Sequence, residues 1–360
     1  MKKILIFTSE RTGTGHKSAA NALENKLRKI GYETKQVDSF ETMGKFGLLL
    51  ENAYIPVTTR LPKLYYTSYL IQKAFPNLIH GIVYATGKKK MLKLINEFNP
   101  DLVISVHSMF TKAISKTMRK NNIKAPFFID VIDLINPPRV WFDENADFHF
   151  VPTEEIKQDY ITKGISENKL LVSGFPIRDD IERRTVAKKI DGKINILLVN
   201  PSVKLRKNIK YAKEVSKIKN ASITFICGRD ERLYETLTKM QNQGEISKDI
   251  KIYSFVKNMN EFLDNAHILL AKAGPNMLLE GARSGTAIVV TGHILGQEND
   301  NYKYVTNNGF GFKCEKPSQI YNLLNDFIES KKIDECLQNV LKAECNSGTD
   351  IIVDYIHKNF

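Results

Sequence analysis

The residues best suited to chemistry lie in a short loop of the second half of the chain. The run from Leu269 to Glu280 predicts a strand, a turn at Lys272-Ala-Gly-Pro275 and a helix, because glycine and proline end the strand and Asn276 can cap the helix. The first N–H groups of such a helix are unpaired and carry the positive end of its dipole. We expect this turn to hold a diphosphate without a metal ion, the alternative being a turn that serves packing alone.

Polar groups after this turn could bind the rest of a nucleotide sugar. Glu280 follows Asn276 by one helical turn and can accept hydrogen bonds from both hydroxyls of a ribose; the alternative is a solvated helix residue. The loop after the next strand contains Gln297 and Glu298, whose amide and carboxylate groups suit sugar hydroxyls. A solvated loop is the alternative for that segment.

A second loop near the N-terminus could transfer a proton. The strand Ile4–Phe7 is followed by Thr12-Gly13-Thr14-Gly15-His16 and by a helix that Gly31 should end. The glycines allow a substrate to approach the backbone closely, although the third glycine of a dinucleotide fingerprint is absent. His16 is placed to act as a base near neutral pH. Its alternative role is a helix cap or a solvent-facing histidine.

These loops must be positioned by parallel sheets. Ten short apolar runs alternate with helical stretches, a pattern typical of parallel strands buried on both faces and hence of an α/β fold with doubly wound sheets. The highly charged stretch 178–193 indicates a boundary. We predict two Rossmann-like domains facing a cleft, over residues 1–185 and 190–340, and a C-terminal helix over 341–360 that can pack back on the first.

Composition limits the classes of partner. The 53 Lys and Arg residues against 40 Asp and Glu give a formal net charge of +13, which suits an anionic ligand, an anionic membrane or a nucleic acid, or reflects a solvated lysine-rich surface. The sequence has neither an apolar run of about 20 residues nor a signal peptide, so we expect a cytoplasmic protein. Cys227, Cys314, Cys336 and Cys345 are too scattered for a disulfide framework or a zinc site.

The segment 52–96 favours a membrane surface among those partners. It has no acidic residue and combines basic with aromatic and aliphatic side chains, a mixture that suits an anionic lipid interface. Stacking on single-stranded nucleic acid is an alternative, but no nucleic-acid motif accompanies it, so we expect no nucleic-acid partner. An ordinary core helix with a lysine face is the other. The candidate contact residues are Tyr65, Tyr66, Tyr69, Lys63 and Lys73.

Taken together, these segments resemble the monogalactosyl- and monoglucosyl-diacylglycerol synthase family, and more distantly the peptidoglycan N-acetylglucosaminyltransferase that acts on a lipid carrier. Lys-Ala-Gly-Pro followed by Gly-Gln-Glu is the most specific part of the resemblance, which covers nearly the whole chain. The other matching segments are 13–16 with 18–20, 130–133 with Trp141, 173–178, 227–229 and 255–259.

The resemblance implies a GT-B fold and an inverting, metal-independent transferase that uses a UDP-sugar and no other cofactor. By similarity, Phe255 and Val256 would meet the uracil, Glu280 the ribose, and Gln297 and Glu298 the sugar. His16 would be the base, with an acidic partner such as Asp133 to orient it. The remaining donor-binding candidates are Gly15, Gly228, Lys272, Gly274, Pro275, Asn276 and Met277.

Departures from the family pattern affect the identity of the sugar and, to a lesser degree, activity. Thr14 stands where many relatives have glycine, Asn276-Met277 replaces the usual Gly-Thr, and a histidine common after Asp133 is missing. The leading hypothesis is transfer of a hexose from a UDP-hexose to diacylglycerol or a related glycolipid, at the inner face of the cell membrane. The alternatives are a UDP-sugar epimerase of the same fold and a non-catalytic UDP-sugar- or membrane-binding protein.

Overall fold

A computed structural model describes residues 1–12, 15–342 and 347–360. Gly13, Thr14 and Cys345, which entered the sequence analysis, lie outside the described residues. The chain divides into two compact units. The first comprises Met1–Asp179, Leu295–Gln297 and Asn346–Phe360, and the second Asp180–Ile294 and Glu298–Cys345.

The first unit is built on a six-stranded sheet in which every pairing is parallel, in the order β2-β1-β3-β4-β5-β6. Its central strands are the apolar runs expected from the sequence, and Ile4 to Phe7 are fully buried. The strands are β1 (Lys3–Thr8), β2 (Glu33–Asp38), β3 (Leu102–Ser105), β4 (Phe127–Asp130), β5 (Phe148–Val151) and β6 (Leu170–Val172). The helices are α1 (Gly15–Lys29), α2 (Gly44–Arg60), α3 (Pro62–Ala74), α4 (Pro76–Phe98), α5 (Thr111–Lys120) and α6 (Glu154–Thr162).

The second unit repeats this design with a second parallel sheet, in the order β12-β11-β10-β7-β8-β9. Its strands are β7 (Ile194–Val199), β8 (Ala221–Ile226), β9 (Lys251–Tyr253), β10 (Ile268–Lys272), β11 (Ala287–Gly292) and β12 (Gly311–Lys313). Its helices are α7 (Leu205–Val215), α8 (Glu231–Asn242), α9 (Met259–Asn265), α10 (Pro275–Arg283), α11 (Tyr302–Asn307), α12 (Pro317–Glu329) and α13 (Lys332–Lys342). Two parallel α/β sheets confirm the predicted fold class. The described cysteines, Cys227, Cys314 and Cys336, are buried thiols of this unit.

The last helix, α14 (Gly348–Asn359), belongs to the first unit, where it packs on α1. Ile352, Val353 and Ile356 are buried in the same apolar cluster as the central strands. The side chain of Lys26 on α1 donates to Asp350 Oδ1 across 2.6 Å. Burial of these apolar groups, rather than this partly exposed ion pair, holds α14 in place, because exposed pairs contribute about 1 kcal/mol or less.

Candidate active site

His16 lies at the start of α1, where the loop after β1 enters the helix. Its Nδ1 is 2.7 Å from the carbonyl oxygen of Val106, which follows β3. A carbonyl oxygen can only accept, so Nδ1 carries the proton in the neutral ring and Nε2 keeps its lone pair. Burial lowers the pKa of His16 to about 4, although the Val106 hydrogen bond acts in the opposite direction. The imidazole is therefore neutral at physiological pH with one nitrogen able to accept a proton.

A second histidine, His107, stacks on His16 and was not expected from the sequence. The ring centroids are 4.3 Å apart with planes inclined by 27°. His107 Nδ1 accepts the backbone N–H of Met109 at 3.4 Å, and burial and then the neighbouring His16 lower its pKa well below the usual value. Two stacked rings disfavour a positive charge on both at once. The one feature of the sequence that indicates a role for His107 is its position directly after a buried strand.

Asp133 does not orient His16, contrary to the sequence-based expectation. The Nδ1 position is taken by Val106, and Asp133 Oδ2 instead accepts the indole N–H of Trp141 at 2.6 Å. Burial raises the pKa of Asp133 to about 6, while the Trp141 hydrogen bond acts to lower it. Trp141 is fully buried, and its ring centroid lies 6.4 Å from that of His16. Asp133 is therefore linked to His16 indirectly: it binds Trp141, whose ring lies near the imidazole.

A buried carboxylate on α2 anchors the loop that leads to His16. Glu51 Oε1 accepts hydrogen bonds from the Ser9 hydroxyl at 3.0 Å and from the backbone N–H groups of Glu10 at 3.0 Å and Arg11 at 2.8 Å. The backbone N–H of Thr12 donates to Ser9 Oγ at 3.2 Å. Glu51 has no signal in the sequence, because a lone Glu in an apolar helix has no distinguishing spacing.

In the second unit, the Lys272–Pro275 turn leads into α10 as predicted, but its cap differs. Gly274 is the N-cap residue and Pro275 occupies the first turn, so Asn276 lies inside the helix and the cap predicted for it is wrong. Proline is favoured at this position because its fixed φ suits a helix start and it has no N–H to leave unpaired. The side-chain Nδ2 of Asn276 is shielded from solvent and has no acceptor among the described residues. Met277 follows it in the first turn, half-buried.

Charged groups gather beside this turn. Burial lowers the pKa of Lys272, and the charges of Glu298 and Asp230 act to raise it. Glu298 is buried, and its Oε2 accepts the backbone N–H of Ile294 at 2.7 Å. A Cβ added to Gly274 would lie 3.6 Å from Glu298 Oε1. The predicted diphosphate turn and Glu298 of the predicted sugar loop are thus close together within this unit.

Two further predicted donor contacts differ in exposure. Phe255 is 54% exposed, and the guanidinium of Arg229 lies 5.3 Å from its ring centroid. Gly228 precedes Arg229 with φ of +66°, a conformation that favours glycine, and Val256 is half-buried. Glu280 is buried rather than solvated, which removes the alternative stated for it.

Gln297 is grouped with the first unit, unlike Glu298. Its Oε1 accepts the hydroxyl of Tyr65 at 3.1 Å, and its Nε2 donates to the hydroxyl of Tyr54 at 3.2 Å. A Cβ at Gly296 would meet the ring of Tyr69 at 2.7 Å. Tyr65 and Tyr69 are therefore half-buried against residues 295–297. The predicted sugar contact through Gln297 thus involves a side chain already engaged by two tyrosines.

Helices α2, α3 and α4 expose many apolar side chains, and we call this surface the α2–α4 face. No residue of α3 is buried, so α3 is not an ordinary core helix, whereas α4 buries Val83, Met91 and Ile95. Lys63, Tyr66 and Lys73 are exposed on α3. Among the described residues, no helix is both long and apolar enough to cross a membrane. The exposed large apolar side chains of this face are Phe46, Leu49, Leu50, Ile55, Leu61, Leu64, Tyr66, Leu70, Ile71, Phe75, Leu78 and Ile82.

Comparison with known proteins assigns both halves of the chain. Residues 16–177 match the family model of monogalactosyldiacylglycerol (MGDG) synthase, and residues 200–344 match the glycosyltransferase family 28 C-terminal domain. The structure is similar to that of MurG from Acinetobacter baumannii, with a TM-score of 0.66 and 14% identity over 99% of this chain and 100% of that one. At this identity the likeness shows the fold alone. With the two parallel sheets, this likeness confirms the GT-B fold, and the match to the family 28 domain gives the class, a glycosyltransferase.

Two relatives narrow the class to a family. A processive diacylglycerol beta-glucosyltransferase of Bacillus cereus (strain G9842) is 24% identical over 357 residues, covering 95% of this chain and 90% of that protein. The chloroplastic monogalactosyldiacylglycerol synthase 3 of Arabidopsis thaliana is 23% identical over 385 residues, covering 99% and 81%. The chain thus combines an MGDG synthase domain with a family 28 C-terminal domain, which confirms the family resemblance seen in the sequence.

Proposed function

We propose that this protein transfers a hexose from a UDP-sugar to diacylglycerol or a related glycolipid, with inversion at the anomeric carbon. The observation that carries the proposal is the hydrogen bond from His16 Nδ1 to the Val106 carbonyl, which leaves Nε2 as a proton acceptor at a glycine-containing loop. The family and the names of its diacylglycerol-glycosylating relatives support the choice of acceptor.

The reaction is a direct displacement. His16 Nε2 takes the proton of the acceptor hydroxyl as its oxygen attacks the anomeric carbon, and the bond from that carbon to the diphosphate oxygen breaks. The electron pair of that bond leaves with UDP, so the sugar changes its anomeric configuration. Preorganised donors that face the leaving diphosphate lower the barrier, because charge grows there in the transition state.

The second unit supplies groups for the donor. The free N–H groups at the start of α10 and the Nδ2 of Asn276 can donate to the diphosphate, and Lys272 adds a positive charge nearby. Buried Glu280 is the candidate for the ribose and Glu298 for the sugar. Exposed Phe255 offers a ring face for the uracil. These groups can bind the diphosphate without a metal, so we expect transfer to continue in excess EDTA.

The α2–α4 face is the proposed membrane contact, at the inner face of the cell membrane. So many exposed apolar side chains on neighbouring helices indicate an interaction surface. Exposed Lys63 and Lys73 suit anionic headgroups, each basic residue contributing about 1 kcal/mol. The proposal rests on Tyr66 and the exposed aliphatic side chains rather than on Tyr65 and Tyr69, which contact residues 295–297.

A donor panel tests the proposal. The protein is incubated with UDP-glucose, UDP-galactose or UDP-N-acetylglucosamine and anionic vesicles that contain diacylglycerol, and both the lipid and the nucleotide-sugar products are identified. A hexosyl-diacylglycerol from at least one donor supports it. Conversion of one UDP-sugar into another without lipid would favour the epimerase. UDP binding without turnover on any of these donors would favour a non-catalytic protein.

A further inference from the structure

Glu51 stands out among the buried charged groups because it contacts a loop of the candidate site rather than a cation. Its side chain is 1% exposed, on a helix whose other buried residues are Gly47 and Thr58. Among the described residues no ion pair involves Glu51. Burying a carboxylate costs free energy that must be offset by hydrogen bonds or charge. Three donors of one loop supply that compensation.

All three donors converge on one oxygen. Oε1 accepts from the Ser9 hydroxyl, the Glu10 N–H and the Arg11 N–H, and the Asp38 carboxyl, whose pKa is raised by burial and by Glu51, lies beside the same side chain. Hydrogen bonds to a charged acceptor are about twice as strong as neutral ones. The loop is therefore fastened to α2 at three consecutive residues.

The fastened residues lie in the same loop as the proposed base, four or more residues before it in the chain. Ser9 follows β1, and α1 begins at Gly15, directly before His16. Ser9 Oγ also accepts the backbone N–H of Thr12, which extends the anchored segment to that residue. A shift of this segment displaces the start of α1, and a displacement of about 1 Å in a catalytic geometry can cost about 100-fold in rate.

Glu51 also ties the loop to the α2–α4 face. On the same helix, Leu49 and Leu50 next to Glu51 are exposed, so one side of α2 is presented to solvent while Glu51 reaches inward. The neighbouring Asn52 contacts the loop differently, accepting from the Arg11 guanidinium at 2.9 Å on the surface. The inward carboxylate, rather than this exposed contact, holds the backbone.

We propose that Glu51 is a positioning residue for the transfer reaction, holding Ser9–Thr12 against α2 so that His16 meets the acceptor hydroxyl. The inference rests on the proposed function, because it concerns the base of that reaction. It assigns a role to a residue that is not among the proposed donor or acceptor contacts.

The test compares Glu51→Ala with Glu51→Gln, using Thr58→Val as a matched control for a buried change on α2. The Thr58 hydroxyl donates to carbonyls of its own helix, those of Tyr54 and Ile55. We expect E51A to lower kcat about 100-fold with KM for the donor and vesicle binding unchanged. E51Q keeps a carbonyl oxygen for the three donors and should stay within about fivefold of the parent. T58V should behave like the parent.

A readout that does not require activity separates this inference from the proposed function. Hydrogen exchange at the Glu10 and Arg11 amides should be slow in the parent and in E51Q and fast in E51A, whether or not glycolipid is formed. If E51A does not fold, Ser9→Ala replaces it, with a smaller fall in kcat and faster exchange expected. Unchanged kcat and exchange in a folded E51A, or equal losses in E51A and E51Q, would overturn the proposal.

Discussion

The Nδ1 of His16 lies 2.7 Å from the carbonyl oxygen of Val106, a backbone group held by the sheet. The Val106 N–H donates to the Phe7 carbonyl at 3.0 Å, so the acceptor of the histidine proton is fixed by the continuation of the β1–β3 pairing. A backbone carbonyl cannot gain or lose a proton near neutral pH, unlike a carboxylate. The tautomer of His16 is therefore set by the main chain.

Replacing His16 by alanine should lower kcat by about 10²- to 10⁴-fold, since general base catalysis contributes that much. UDP binding should be nearly unchanged, because the proposed contacts to the uracil, the ribose and the diphosphate lie in the second unit. Steady-state kinetics and calorimetric titration with UDP measure the two effects. Lys17→Ala, which removes the ion pair to Glu10 next to His16, serves as the control. Equal losses of turnover and of UDP affinity would sink the base assignment.

The pH profile of kcat should lack the rise that deprotonation of an ordinary histidine base produces. Burial lowers the pKa of His16 to about 4, so the neutral base is already the main form at pH 5 and a rise in pH adds little more. A limb near pH 6 would instead follow Asp133, whose pKa burial raises to about 6. Rates from pH 5 to 8 are compared for the parent and Asp133→Asn. A limb centred near pH 6.5 that persists in D133N would contradict the assigned state of His16.

Asp38→Asn should raise the melting temperature at pH 8 more than at pH 5. Burial and then the Glu51 charge raise the pKa of Asp38 to about 7. The folded state thus holds a proton that the unfolded state loses at its ordinary pKa, so stability falls as pH rises from about 4 to 7. Asparagine keeps an oxygen for the Phe40 N–H and removes this loss.

Thermal melts at the two pH values check this prediction. Asp147→Asn changes another carboxyl that accepts a backbone N–H, from Phe127, and is the matched control. An equal shift at pH 5 and pH 8 in D38N would show that the proton on Asp38 has no part in stability.

Removing apolar groups from the α2–α4 face should weaken vesicle binding. Leu64 is 56% and Phe75 59% exposed, and burying such a side chain in lipid contributes about 1.5–3 kcal/mol. A double variant with Leu64→Ser and Phe75→Ser should lower partitioning into anionic vesicles by at least about tenfold. Leu323→Ser, a 39% exposed leucine of α12, is the control. Equal partitioning of the parent, the Leu64→Ser/Phe75→Ser variant and the Leu323→Ser control would mean that another surface contacts the lipid.

Much of the fold could be predicted because buried parallel strands have a strong apolar signature. The strand β1 and the other buried strands can be recognised from apolar runs such as Ile4–Phe7. The edge strands β2 and β12 have no continuous apolar run, as in Glu-Thr-Lys-Gln-Val-Asp of β2, whereas the edge strands β6 and β9 have one and were predicted. Edge strands need not be apolar on both faces, so the composition gives little signal.

The site was less predictable because its partners are remote in sequence. The loop of His16 and the Lys272 turn have local signals in glycine and proline. The contacts that set their state do not: Val106 is a backbone acceptor 90 residues from His16, and Glu51 reaches a loop 40 residues away. The family resemblance suggested Asp133 as the partner of His16, whereas in the structure Asp133 accepts a hydrogen bond from Trp141.

The central claim is tested most directly by measuring the UDP that the protein releases from its donor in the presence of vesicles with and without diacylglycerol. UDP and lipid product are measured together, with the preferred UDP-hexose as donor. The proposed transferase should release one UDP for each hexosyl-diacylglycerol, with the anomeric configuration opposite to that of the donor, and almost none without diacylglycerol. UDP release that does not depend on diacylglycerol, or a product that retains the donor configuration, would contradict an inverting transfer to this lipid.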